Sequence, residues 1–152
     1  MTIDWVSPDL PPATAADLRW AAASVVAGGA MRGVALVALD SATGACLAHI
    51  GAATSASPPG SASVGPIVRN TLASKAGTYL ANLKLYPGGA AEFGRFLPSG
   101  TAGVLVAPGS AGRIALVLAT DTPRGFGRLD QAWAGDLADK VEAGLMGAWE
   151  PE

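Results

Sequence analysis

Cys46 and His49 are the residue types best suited to bind a metal or attack a carbonyl, and each occurs once in the chain. In a strand, side chains alternate between faces, so residues three apart are expected on opposite faces and unable to share one ion. No third ligand type clusters beside them for a structural zinc. Axial haem ligation by His49 or Cys46 is one reading; the weightier one makes Cys46 core filler and His49 an ordinary polar strand residue. A single cysteine excludes an internal disulfide and a thiolate-rich cluster. Nucleophilic catalysis needs a base beside the nucleophile, yet the serines fall mainly in loops, and neither a G-x-S-x-G elbow nor a phosphate-binding G-x-x-x-x-G-K-[ST] loop occurs. The residues argue against a hydrolase or a nucleotide-using enzyme.

A second candidate constellation lies in Thr78–Phe93, TYLANLKLYPGGAAEF. Tyr79, Tyr86 and Phe93 gather around Lys84 and Glu92. They form either a rim for a flat aromatic ligand or partner, or a loop that aromatics pin against a sheet, the preferred reading. Trp20 and Trp133 read as core anchors of the first and last helices. Asp121 and Arg124 flank Pro123 and shape a turn. Asp130 suits the dipole at the start of the helix that follows.

The elements that position these residues are legible in outline. Residues 1–12, with Pro8, Pro11 and Pro12, make an extended lead-in. Ala13–Gly28 reads as a helix with Thr14 as N-cap and Leu18, Ala22 and Val25 on one face. Gly33–Asp40 and Ala45–Ile50 read as strands joined by a turn. Residues 51–63 (GAATSASPPGSAS) read as a mobile low-complexity loop. Gly65-Pro66 opens a helix with Ile67, Val68 and Leu72 inward. Thr78–Leu85 is expected extended, and Tyr86-Pro87-Gly88-Gly89 a turn. A hairpin follows, Ala102–Ala107 and Arg113–Thr120 around Pro108–Gly112. In its second strand Ile114, Leu116 and Leu118 oppose Ala115, Val117 and Ala119, which makes that strand central and covered on both faces. The last helix carries Leu129, Trp133, Leu137, Val141 and Leu145 at spacing four. This order gives an antiparallel α+β sandwich, a single domain over 13–147 with a tail at 148–152.

Composition narrows the function classes. Half of the 152 residues are hydrophobic and 14% are charged, against about 25% in typical soluble domains. So thin a charged surface fits contact with another body, a position beside a membrane, or plain Ala and Gly enrichment. Residues 51–120 carry Arg69, Lys75, Lys84, Arg95 and Arg113 against Glu92, a balance of +4, and residues 121–152 balance at −4. Such a dipole suits docking between related subunits or onto an asymmetric partner. Basic residues are isolated from one another and free of interleaved aromatics, which excludes a nucleic-acid footprint. No basic-then-apolar leader is visible, and the most apolar run, Trp20–Met31, is too short to span a bilayer.

Several segments together resemble one branch of GAF-like proteins: Gly65-Pro66-Ile67, Tyr79-Leu80 through Leu85-Tyr86-Pro87-Gly88 to Glu92-Phe93, Phe96-Leu97-Pro98, and Asp121–Phe126 running into Asp130–Trp133. This pattern is similar to the CCB family of cyanobacteria and chloroplasts, whose name stands for cofactor assembly of complex C, over roughly residues 18–145. The resemblance implies a GAF-like antiparallel sheet with helices on its faces, the N- and C-terminal helices together. It further implies a non-catalytic assembly factor for covalent c-type haem attachment to cytochrome b6 of the cytochrome b6f complex. Its partners would be a paralogous GAF-like protein, as homo- or heterodimer, and apocytochrome b6. Haem would be held transiently, with no tightly bound cofactor. The setting would be the chloroplast thylakoid membrane, reached through anchors absent from this chain. Partner or ligand contacts would fall on Lys84, Tyr86, Glu92, Phe93 and Arg124. The family pattern carries an Arg after Gly88, where this chain has Gly89 and one inserted residue, so that contact is expected to be lost. Gly127 likewise stands where a Ser or Thr cap is usual. A GAF-type sensor of a tetrapyrrole or nucleotide, or a dimerisation domain, is the alternative reading.

Overall fold

A computed structural model describes residues 2–26, 31–55 and 58–149. The order is β1 (Thr2–Val6), α1 (Pro12–Val25), β2 (Ala35–Asp40), β3 (Cys46–Ala52), α2 (Pro66–Ser74), β4 (Thr78–Leu80), a 3-10 turn (Leu83–Leu85), α3 (Pro87–Phe93), β5 (Gly103–Pro108), β6 (Ile114–Thr120) and α4 (Arg128–Trp149). The strands form one six-stranded sheet in the order β1-β3-β2-β6-β5-β4, with every neighbouring pair antiparallel.

Two apolar cores separate on the sheet's faces because strand side chains alternate. Leu36, Ala38, Leu105, Ile114, Leu116 and Leu118 meet Leu18, Ala22 and Val25 of α1 and Leu137, Val141 and Leu145 of α4. Val37, Leu39, Val104, Val106, Val117 and Ala119 meet Val68 and Leu72 of α2, Leu83, Phe93 and Phe96. The expected antiparallel α+β architecture, with the terminal helices together on one face, is thus observed. β6 is central and fully buried, as its doubly apolar pattern demands.

Several expectations change. The lead-in is part of the sheet: Thr2–Val6 pairs in register with Ala48–Ala52 of β3, and Trp5 and Val6 pack partly against the cores on the two faces. Pro11 occupies the N-cap of α1 with Pro12 in the first turn, where its missing N–H costs nothing, while Thr14 is buried. Gly28 lies outside the described residues. Gly51 and Ala52 of the low-complexity stretch extend β3. Farther along, Ala62 is buried and Val64 N–H donates to Gly44 O at 3.0 Å; residues 56 and 57 lie outside the described residues. Gly51 adopts φ +112°, and a Cβ there would meet the Val34 carbonyl oxygen, so only glycine fits.

The stretch read as strand and turn is mostly helical. After Leu80 the chain coils into the 3-10 turn, and Pro87–Phe93 is a helix. Pro87 is preset for a first helical turn, and Leu83, Phe93 and Phe96 supply the burial that overrides the glycines. On α4 the spacing-four stripe is interrupted at its start: Leu129 is 87% exposed. At 3.6 residues per turn, a strict spacing of four drifts around the helix and leaves the core side.

Candidate functional site

The Thr78–Phe93 constellation is not one rim. Phe93 is fully buried and stacks edge-on against Phe96 at 6.1 Å. Glu92 is buried as well, and its carboxylate accepts from the N–H groups of Ile67 (2.7 Å) and Val68 (3.1 Å). These are orphan donors at the start of α2, whose cap position, Gly65, has no side chain to satisfy them. A negative charge there also complements the helix dipole. Glu92 and Phe93 are therefore structural and unavailable for direct partner contact. Tyr79 also turns inward: its hydroxyl accepts from Phe126 N–H at 3.1 Å.

What reaches solvent is the tip between them. Leu83 anchors the 3-10 turn in the core, Asn82 Oδ1 accepts from Lys84 N–H at 3.1 Å, and Tyr86 N–H donates to Leu83 O at 3.0 Å. One inward residue leaves its neighbours outside: Lys84 is exposed, Leu85 is 72% exposed and Tyr86 43%. Arg124 is exposed nearby, held at φ +57° with its N–H on Ala81 O at 2.9 Å. Of the five predicted contact residues, Lys84, Tyr86 and Arg124 remain on the surface.

Beside the tip is an open cleft of about 550 Å³, floored by Leu83, Phe93, Leu97 and Pro98, with Lys84 and Asp121 at its edges. Thr101 Oγ1, also in its lining, is buried without a hydrogen-bond partner. Cys46 and His49 do not line this cleft. They do share a sheet face, contrary to expectation. A β-bulge pairs Ala38 with Ala48 but Leu39 with Cys46, which leaves Leu47 as the extra residue and turns Leu47 and Ala48 to the same core. Cys46 and His49 consequently both face α2 and α3. Cys46 Sγ donates to Ala48 O, and burial pushes its thiol up to about 12. His49 Nε2 lies 2.9 Å from Ala52 O, and its ring stands edge-on to Phe96. Burial lowers its pKa below the ordinary histidine value, the Ala52 carbonyl opposing weakly. Among the described residues no group of three or more His, Cys, Asp or Glu could hold a metal ion.

On the opposite layer, Trp20 and Trp133 meet edge to face at 6.2 Å, with Lys140 Nζ 5.0 Å above the Trp20 ring. Trp20 is 52% exposed and lies on the outer surface, while Trp133 is partly buried and packs against the core as expected, so the pair bridges the core of α1 and α4 to solvent. Where α4 begins, Asp130 Oδ2 accepts from Gly127 N–H at 2.8 Å. That reach-back from the first turn serves a helix start that lacks a Ser or Thr cap.

Sequence reasoning missed Glu142. Its carboxylate is buried on α4 and accepts from two N–H groups of the β5–β6 loop, Ala111 (2.7 Å) and Arg113 (2.8 Å), and from Ile114 N–H at the start of β6 (3.2 Å). Asp139 accepts from Ser110 N–H at 2.8 Å. The only sequence signal was the acidic spacing 139/142 beside the apolar stripe. Asp40, buried, similarly holds Arg113 in an ion pair at 2.8 Å.

The CCB2/CCB4 family model, described as cofactor assembly of complex C, matches residues 1–141. The chain is 35% identical over 149 residues to the chloroplastic CCB4 protein of Arabidopsis thaliana, which is likewise named for cofactor assembly of complex C. The match covers 92% of this chain and 48% of that protein. The chain thus spans about half the length of that relative. Among solved structures it is similar to a type II free methionine-R-sulfoxide reductase from Thermoplasma acidophilum, with a TM-score of 0.54, 15% identity, and coverage of 78% of this chain and 80% of that one. At that identity the likeness concerns the fold alone, which is GAF-like. The chain belongs to the CCB2/CCB4 family of complex C cofactor-assembly proteins.

Proposed function

We propose that this member of the family is a non-catalytic, GAF-like assembly module for covalent c-type haem attachment to cytochrome b6 of the cytochrome b6f complex, working at the chloroplast thylakoid membrane. The observation that carries the reading is the family match across residues 1–141. Haem is the cargo, and no tightly bound cofactor of the module's own is part of the proposal. Attachment to a cysteine needs proximity, the correct haem face and a reduced thiol, all of which a scaffold can supply. A scaffold role is supported by the state of the chain's own reactive groups: the Cys46 thiol is buried and held near 12, far from a neutral-pH nucleophile, and His49 is locked to Ala52 O beneath Phe96.

In this reading a paralogous protein docks on the Trp20–Trp133 surface of α1 and α4. Exposed tryptophan is a costly surface residue and a common interface anchor. Apocytochrome b6 is presented on the other layer, beside Lys84, Tyr86 and Arg124. The decisive experiment disrupts the gene in its source and stains cytochrome b6 for haem peroxidase activity in the gel. Loss of covalent haem with apocytochrome still synthesised is expected, and normal staining overturns the reading. Trp20→Ala with Trp133→Ala is expected to abolish capture of the paralogue.

One observation favours a second reading, a small-molecule sensor: the cleft beside Lys84, with the unpartnered Thr101 hydroxyl in its lining. A tetrapyrrole or nucleotide that raises Tm in proportion to the logarithm of its concentration would favour it.

A further inference from the structure

We infer that the Lys84–Pro87 tip and the basic surface around it seat on an anionic lipid surface. Leu85 and Tyr86 are adjacent large side chains left in water at the end of one tip. The tip is rigid: Leu83 is rooted in the core, and Asn82 and Leu83 hold the turn through Lys84 and Tyr86 N–H. It can therefore insert without an ordering cost. A leucine suits the acyl boundary, and a tyrosine, apolar with a polar end, suits the headgroup level.

The exposed charges around the tip and α3 are mainly basic. Gly88 and Ala91 of α3 share a groove with Arg69 and Arg95. Lys84 flanks α3 on its other side, at the cleft that Ala90 and Gly94 also line, and Arg124 is tied to Ala81. The acid in this stretch, Glu92, is buried beneath the surface and bonded to α2. Asp121 is an exposed acid that lines the same cleft as Lys84 and offsets part of that charge. Four cations beside the tip and α3, set against the exposed acid Asp121, leave a net positive surface that matches a negatively charged headgroup layer, each cation adding attraction within a Debye length. The surface lies on the sheet face opposite α1 and α4, so the Trp20–Trp133 surface stays free while the tip is seated. Lipid seating uses the same surface that the proposed function gives to apocytochrome b6, and vesicle binding reads it without any haem attachment.

The test is co-sedimentation of the whole chain with phosphatidylcholine vesicles containing phosphatidylglycerol, against phosphatidylcholine alone. Binding to the anionic vesicles, weakened by added salt, is expected. Leu85→Ser and Lys84→Glu should each weaken it about tenfold, with unchanged circular dichroism because both residues face solvent. Leu129→Ser, which removes an exposed leucine from the other layer, should bind like the parent. Equal retention on both vesicle types, or parent-like binding by Leu85→Ser, overturns the inference. Retention on neither, the result expected if this face docks an acidic protein, overturns it too. The haem stain reads independently of all these outcomes.

Discussion

Glu142 and His49 show how much one side chain decides here. Glu142 gathers three backbone donors of the β5–β6 hairpin onto α4, and a Cβ at Gly109 would strike its carboxylate. Glu142→Ala leaves those N–H groups without their acceptor and is expected to cost about 3 kcal/mol, read as a lowered urea midpoint. His49 imposes a pH dependence of definite sign. Its native pKa is depressed below 6.5 by burial, so the unfolded chain takes up a proton first as pH falls. Its contribution is fully present above about 6.5 and is lost as pH drops through the native value. Urea midpoints measured across that window should fall with acidification, and His49→Asn should flatten the slope. The buried pair Cys46 and His49 was misplaced by the alternation rule because one bulge residue, Leu47, reverses the faces, and a bulge leaves no reliable mark in a run such as ACLAHIG.

At the scale of elements, short helices here depend on partners distant in sequence. α2 has no side-chain cap of its own; Glu92, arriving from α3, replaces it. That coupling explains Gly65, whose added Cβ would come within 2.5 Å of the Glu92 carboxyl carbon. Gly65→Ala should push the carboxylate off the α2 N-terminus and cost about 2 kcal/mol, near the upper range of lost caps. Glu92→Gln keeps the acceptor but loses the charge, so it should cost less in the same melting experiment. α3 itself was read as a turn because Pro87-Gly88-Gly89 has turn composition, and local propensity is a weak prior beside the burial of Phe93 and Phe96.

For the whole molecule, the sheet's edges and its two outer surfaces matter most. β1 covers the edge of β3, and Trp5 lies against Gly60 of the following loop. Removing residues 2–6 should expose the Cys46–Ala52 strand as a pairing template and produce concentration-dependent self-association, measurable by size-exclusion chromatography. The two layers carry different equipment: an aromatic pair with Lys140 on α1 and α4, and a basic tip beyond α2 and α3. A module with distinct surfaces on opposite faces can hold two bodies at once, which is what the proposed scaffold requires.

The sequence by itself determined the antiparallel α+β class, the central doubly buried β6, and the helix face built on Leu137, Val141 and Leu145, since side-chain periodicity writes burial directly into residue order. Several segments together, most specifically Leu85-Tyr86-Pro87-Gly88 to Glu92-Phe93, marked the family resemblance. Tertiary structure alone decided which members of that block meet solvent. Lys84, Leu85 and Tyr86 are exposed, while Glu92 and Phe93 serve the core. The donors that claim Glu92 lie 24 and 25 residues away on α2, and the donors of Glu142 lie 28 to 31 residues away on the hairpin. No local pattern encodes such partners; they exist only once the sheet has brought distant segments to the same place.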